Sequence, residues 1–182
     1  MIDLFHARSA SFDSPIEMLE LCHEKVRRFA KLTQRLGRHM QKSGVDAAAR
    51  EAAESVLRYF TIAAPLHHQD EEDDLFPALK SLSVEAIGVA EHQALHRNLE
   101  QLETEHEQLT VLWEQVATWL RALCQHHVAP TPACLDDFAL TYIAHADREE
   151  KLIYPHAKAL DSDSMRAIGQ RMAARRTLTQ VK

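Results

Sequence analysis

Two stretches of the chain carry the same arrangement of histidine, paired glutamate, aliphatic residue, aromatic residue and proline. Residues 67–77 read His-His-Gln-Asp-Glu-Glu-Asp-Asp-Leu-Phe-Pro, and residues 145–155 read His-Ala-Asp-Arg-Glu-Glu-Lys-Leu-Ile-Tyr-Pro. Both fit H-x-x-x-E-E-x-x-(Leu/Ile)-(Phe/Tyr)-Pro, and they begin 78 residues apart. Residues four apart share a helix face, about 6 Å apart along the axis. His67 with Glu71, and His145 with Glu149, can therefore each present one imidazole and one carboxylate from the same side. Two such carboxylates facing each other in a helical core can bridge a pair of cations, with imidazoles completing each shell.

Histidine is in excess, at 12 of 182 residues. His67 follows the stripe of Phe60, Ala63 and Ala64. His145 and Glu149 continue Leu135, Phe138 and Tyr142, then Leu152. His23 occupies an inward slot between Leu19 and Val26, and His106 sits within the stripe from Leu99 to Trp113. Each of four helices thus offers one inward histidine at a similar depth. One histidine on an apolar face is usually a hydrogen-bonded core residue. Four of them with two glutamates are different, because an uncompensated buried carboxylate costs several kcal/mol in practice. A dinuclear cation site compensates both carboxylates.

The elements that must position these residues are long helices. Gly and Pro together number only ten, about half of ordinary usage. Ser14-Pro15-Ile16-Glu17 reads as a capping box opening a first helix over about 15–42, with Gly44 beyond its end. Asp46 caps a second helix that runs to Phe76-Pro77, with a kink expected at Pro65. The third ends near Leu123. Residues 84–94 are either its first turns or a separate short helix. The fourth opens at Thr131-Pro132 and ends near Tyr154-Pro155. No segment alternates with period two. The expected fold is an all-α, antiparallel up-down four-helix bundle over 14–158. It is preceded by an arm at 1–13 and followed by a C-terminal helical segment in 159–182, which either covers the bundle or mediates a homodimer.

Lys plus Arg number 21 and Asp plus Glu 27, for a net charge of −6. No basic footprint suits nucleic acid or an anionic membrane. No apolar run approaches the roughly 20 residues of a membrane span. No signal peptide is read at the N-terminus, and three cysteines without a CxxC fit a reducing cytoplasm.

The pattern resembles the hemerythrin-like, or HHE cation-binding, domain. The resemblance covers about residues 14–158. It is carried by Cys-His-Glu-Lys around His23, the two H-x-x-x-E-E motifs, and Glu-x-Glu-His at His106. It implies a bundle with a non-heme di-iron centre, two bridging carboxylates and an oxo or hydroxo bridge. The ligands carried over by position are His23, His67, Glu71, His106, His145 and Glu149. Oxygen-carrying members add a fifth histidine through a His-x-x-x-His pair on the third helix. Here positions 102 and 110 are Leu102 and Thr110, so His106 has no such partner. His92 and His96 form that spacing in a rival register, but His96 drifts to the margin of the apolar stripe. His68 points about 100° away from His67 and reads as surface or outer-layer. Asp70, Glu72, Asp73 and Asp74 read as a solvated face, and Glu150 as an outer hydrogen-bond partner of a ligand histidine. Tyr142 is the best placed of the three tyrosines.

Imidazole and carboxylate without thiolate suit Fe, Mn or Zn. The implied function is binding or sensing of O2 or NO, or iron buffering. The alternatives are an enzyme of oxidative or nitrosative stress defence, acting on peroxide, NO or damaged iron–sulfur centres, and a structural zinc bundle.

Overall fold

A computed structural model describes residues 11–180, all in helices, turns and loops, with no strand among the described residues. The expected arm at 1–13 lies outside them except for Ser11, Phe12 and Asp13. Helix α1 spans Pro15–Ser43. A continuous helical stretch follows, made of α2 (Ala47–Arg58), a π turn (Tyr59–Ala63), α3 (Ala64–Asp70), a second π turn (Glu71–Leu75) and α4 (Phe76–Lys80). A short α5 (Val84–Ile87) precedes α6 (Val89–Cys124). Then come α7 (Leu135–Arg148), a third π turn (Glu149–Ile153), a 3₁₀ segment (Tyr154–Ala159) and α8 (Ser162–Gln180).

Helix α1 packs on α2 and α7, and α6 packs on the same two, so the four long helices close a ring around a shared interior. Helix α8 lies against α1, α3 and the second π turn. No helix of the described residues is long and apolar enough to cross a membrane.

Local sequence explains the boundaries. Asp46 caps α2 by accepting from the Ala49 amide at 2.8 Å. Ser14 does not make the expected capping box, because its side chain forms no cap bond. Its amide instead closes a turn on the Ser11 carbonyl at 2.9 Å. Residues 84–94 divide at Gly88, whose φ of 86° separates α5 from α6 and suits a residue without Cβ. The fourth helix opens at Cys134, three residues later than expected.

Each π turn ends one residue short of an X-Pro pair: Ala64-Pro65, Phe76-Pro77 and Tyr154-Pro155. The residue before each proline donates its amide to the carbonyl five positions back, at Tyr59, Glu71 and Glu149 respectively. A proline ring collides with the carbonyl four positions back and leaves it without a donor. The wider turn displaces that carbonyl, so the helix continues past the proline. Two of the three π turns begin at the glutamates singled out above.

The interior is two apolar clusters with a polar layer between them. One contains Val26, Phe60, Ala64, Leu109, Phe138 and Tyr142. The other contains Leu19, Leu75, Phe76, Leu102, Ile153 and Tyr154. Along every long helix the chain leaves one cluster, contributes a histidine, and enters the other. His23 stands between Leu19 and Val26, His67 between Ala64 and Leu75, His106 between Leu102 and Leu109, and His145 between Tyr142 and Ile153.

Candidate metal centre

The six residues His23, His67, Glu71, His106, His145 and Glu149 meet in this polar layer. All are buried, and both glutamates are fully so. Glu149 lies at the centre. One carboxylate oxygen, Oε2, is 3.0 Å from His23 Nε2. The other, Oε1, is 3.1 Å from His145 Nε2 and 3.7 Å from His106 Nε2. Glu71 Oε2 lies 3.6 Å from His67 Nε2 and 3.8 Å from His106 Nε2. Both carboxylates therefore face imidazoles on two sides.

The donors fall into two groups whose ligand atoms lie within 4.8 Å of one another. His23, His67, Glu71 and Glu149 form one, and His68, His106 and His145 the other. His68 is half-buried, and its ring stacks on His106 at 4.0 Å. Of the two readings, surface or outer-layer, this placement leaves only the outer layer. His92 and His96 face each other at 4.5 Å and belong to neither group. The rival register is therefore not assembled at the centre.

Outer carboxylates orient three of the imidazoles through Nδ1. His23 Nδ1 is 2.9 Å from Glu150, His106 Nδ1 2.5 Å from Glu72, and His145 Nδ1 3.0 Å from Glu105. Such partners fix the tautomer and aim Nε2 inward. Glu150 is held by Arg27, with nitrogens at 2.9 Å from both of its oxygens. Glu105 is held by Arg148 and by Gln101. In each repeat the first glutamate faces the centre and the second braces a histidine from another helix.

Tyr154 donates to Glu71 Oε1 at 2.6 Å, and its oxygen is 3.2 Å from His23 Nε2. Its ring stacks on His23 at 5.4 Å. Tyr154, rather than Tyr142, is thus the tyrosine that touches the centre with its hydroxyl. Asp70 and Asp74 are not solvated. They are buried beneath α8 and paired with Arg171, Arg175 and Arg176.

The buried charges of this cluster shift one another's protonation. Burial pushes Glu71 up to about 8, reinforced by the charge of Glu149. Burial also opposes charge on Glu149, but His145, His106 and His23 outweigh it and hold Glu149 well below the carboxylate range. Burial alone would depress His23 and His106; Glu149 with the outer Glu150 and Glu72 instead raises them to about 9 and 10. Burial keeps His67 well below the usual imidazole value, aided by the neighbouring His23.

The residues fit bound metal. Glu71 Oε2, both oxygens of Glu149, and Nε2 of His106 and His145 are buried with no aligned hydrogen-bond partner, although they lie close together. Unpartnered buried polar atoms are uncommon in native proteins. Here they converge, are all Lewis bases, and include two carboxylates placed between imidazoles. Cations between them would satisfy every one.

A family model for the hemerythrin HHE cation binding domain matches residues 14–157. An uncharacterized protein of Haemophilus influenzae is 32% identical over 172 residues, covering 94% of this chain and 95% of its own length.

Proposed function

Because the chain belongs to the hemerythrin HHE cation-binding domain family, we propose that it is a non-heme di-iron protein that binds or senses O2 or NO, or buffers iron, at this centre. The observation that carries the reading is Glu149, which turns one buried oxygen to His23 and the other to His106 and His145. A carboxylate placed this way suits two ions side by side rather than one. Glu71 would be the other carboxylate to hold metal there. His23 and His67 would cap one ion, and His106 and His145 the other.

When bound, a pair of irons supplies one-electron chemistry and a position for a diatomic ligand. The chain's own residues set the conditions. Glu150, Glu72 and Glu105 hold three imidazoles in one orientation. Phe60 packs within 5.3 Å of Trp113, Phe138 and Tyr142, forming an apolar wall that limits water. Tyr154 holds its proton against Glu71 Oε1 beside His23. Zinc and manganese suit the same nitrogen and oxygen donors, so the metal acquired depends on supply.

The test is metal content after anaerobic Fe(II) loading and desalting. The reading expects about two irons per chain, lost in a Glu71→Ala, Glu149→Ala double variant. It then expects a visible spectrum that appears with O2 or NO and reverses on degassing. Sustained consumption of peroxide or NO with a reductant would favour the enzyme reading. A folded chain that holds no iron would overturn both.

A further inference from the structure

Helix α6 carries another pair of histidines away from the centre. His92 and His96 are four residues apart and share one face of the helix. They precede His106 by fourteen and ten residues, so along the axis they stand about 15–21 Å from it. Leu95 and Leu99, both fully buried, fasten these turns to the core. The two imidazole rings lie 4.5 Å apart and 39° from parallel. Both side chains are half-buried. His96 Nε2 is itself buried, and among the described residues it has no hydrogen-bond partner. A buried imidazole nitrogen in that state is uncommon and costly.

We propose that His92 and His96 form a peripheral site for one late first-row divalent cation, Cu(II) or Zn(II), separate from the centre in the bundle core. Two imidazoles one helical turn apart can grip a single ion from the same side. The helix holds them together before the ion arrives, so little ordering remains to oppose binding. Water would fill the other positions. Imidazole donors hold Cu(II) and Zn(II) more tightly than Fe(II) or Mn(II), which sets this site apart from an iron site in preference. The positive end of α6 opposes a cation on its first turns. Two exposed carboxylates offset it: Glu91 in the first turn of α6, and Glu85 on α5, which lies close enough to His92 to interact with its charge. An ion between the rings would give His96 Nε2 the partner it lacks. With two protein donors, the site should hold its ion more loosely than the core centre does.

The experiment titrates Zn(II) into full-length parent, His92→Gln, His96→Gln and His127→Gln chains near neutral pH. Equilibrium dialysis counts bound ions, and proton NMR follows the imidazole signals. His127, exposed in the loop after α6, is the control. The parent is expected to take up one weakly held ion per chain that both His92→Gln and His96→Gln bind at least tenfold less tightly, a loss no smaller than removing an outer partner of a ligand causes. The signals that move in the parent as this ion binds are expected to be the two that these variants lack. His127→Gln is expected to match the parent. Because the result is a difference between chains that share the core centre, it does not depend on what that centre holds. Equal counts and affinities in all four chains would overturn the site. So would a loss in only one of the two variants, since the grip needs both rings, or an equal loss in His127→Gln. If His96→Gln loses helical circular dichroism, His96→Asn takes its place with the same criteria.

Discussion

Tyr154 and Phe76 are counterparts that differ by one hydroxyl. Each is the ninth residue after the histidine of its repeat. Tyr154 stacks on His23 at 5.4 Å and 6°, and Phe76 stacks on His106 at 6.2 Å and 4°. The π turn of each repeat delivers an aromatic ring onto the histidine that the second glutamate of the same repeat braces. Only Tyr154 adds a donor, and Glu71 Oε1 receives it. This makes the two halves of a repeated framework chemically unequal.

Replacing Tyr154 with Phe makes the two halves alike at this position. The ring stack remains, but Glu71 loses a buried hydrogen bond, worth about 1.5–3 kcal/mol for a charged acceptor. Iron-loaded Tyr154→Phe is expected to retain two irons while binding azide, used as a probe, about tenfold more weakly. Spectrophotometric azide titration measures this. Equal azide affinities would separate the hydroxyl from the ligand position.

The outer carboxylates should rank by how firmly they are held. Glu150 is braced by Arg27 and Glu105 by Arg148, whereas the Glu72 side chain is 42% exposed. Glu150→Gln and Glu105→Gln are expected to weaken metal binding about 10–100-fold, and Glu72→Gln less. Chelator competition on the three variants reads the order. Three affinities matching the parent would show that the imidazoles are aimed by packing alone.

The convergence of six side chains was legible because the spacing is ordinary from each repeat histidine up to its glutamate, where the π turn only begins. Tyr154 was not. On a straight helix, a residue nine positions after His145 lies about 180° away. The π turn adds one residue and reduces this to about 80°, bringing the ring to the centre. Whether His68 lies on the surface or in the outer layer was not legible for a different reason. A wheel drawn for one inward direction sends it outward, but a ring on the next helix, His106, lies close enough for it to stack on. Asp70 and Asp74 looked solvated because the arginines that cover them lie about 100 residues later in the chain. Spacing within one segment carries no record of such a pairing.

Stability of the metal-free chain should fall with alkali. His23 at about 9, His106 at about 10 and Glu71 at about 8 bind protons more tightly than their ordinary values of 6.5, 6.5 and 4.5. Their contribution is present below those ordinary values and is lost as pH rises through about 8–10. Glu105 and Glu150 act oppositely. Held at about 2, they contribute above the ordinary 4.5 and lose this as pH falls. Buried His67 also disfavours acid, because only the unfolded chain takes its proton readily. Thermal melts in chelator are expected to peak near pH 6–7 and decline toward pH 10. The gain in Tm on adding metal should grow over that window, because metal replaces protons at the same atoms. A metal-free Tm that rises from pH 7 to pH 9.5 would contradict these assignments.

Helix α8 should stabilise the bundle through buried charge as well as apolar contact. Ile168 and Met172 enter the same cluster as Leu75, Phe76 and Tyr154. Arg175 and Arg176 both pair with Asp70, which is fully buried next to Glu71. Removing both arginines strands that carboxylate, and breaking a buried pair costs about 3–5 kcal/mol. At about 2–4 °C for each kcal/mol in a chain of this size, Arg175→Ala, Arg176→Ala should lower Tm by about 10 °C. Arg166→Ala, which breaks only an exposed pair with Asp163, should leave Tm nearly unchanged. Packing is tested separately at Gly169, where an added Cβ would lie 1.9 Å from the Phe12 carbonyl oxygen. Gly169→Ala must push α8 away from that backbone and should lower Tm with every arginine still present. Melting the three variants beside the parent distinguishes the contributions. A double arginine variant that melts with the parent would mean that apolar contacts alone anchor α8.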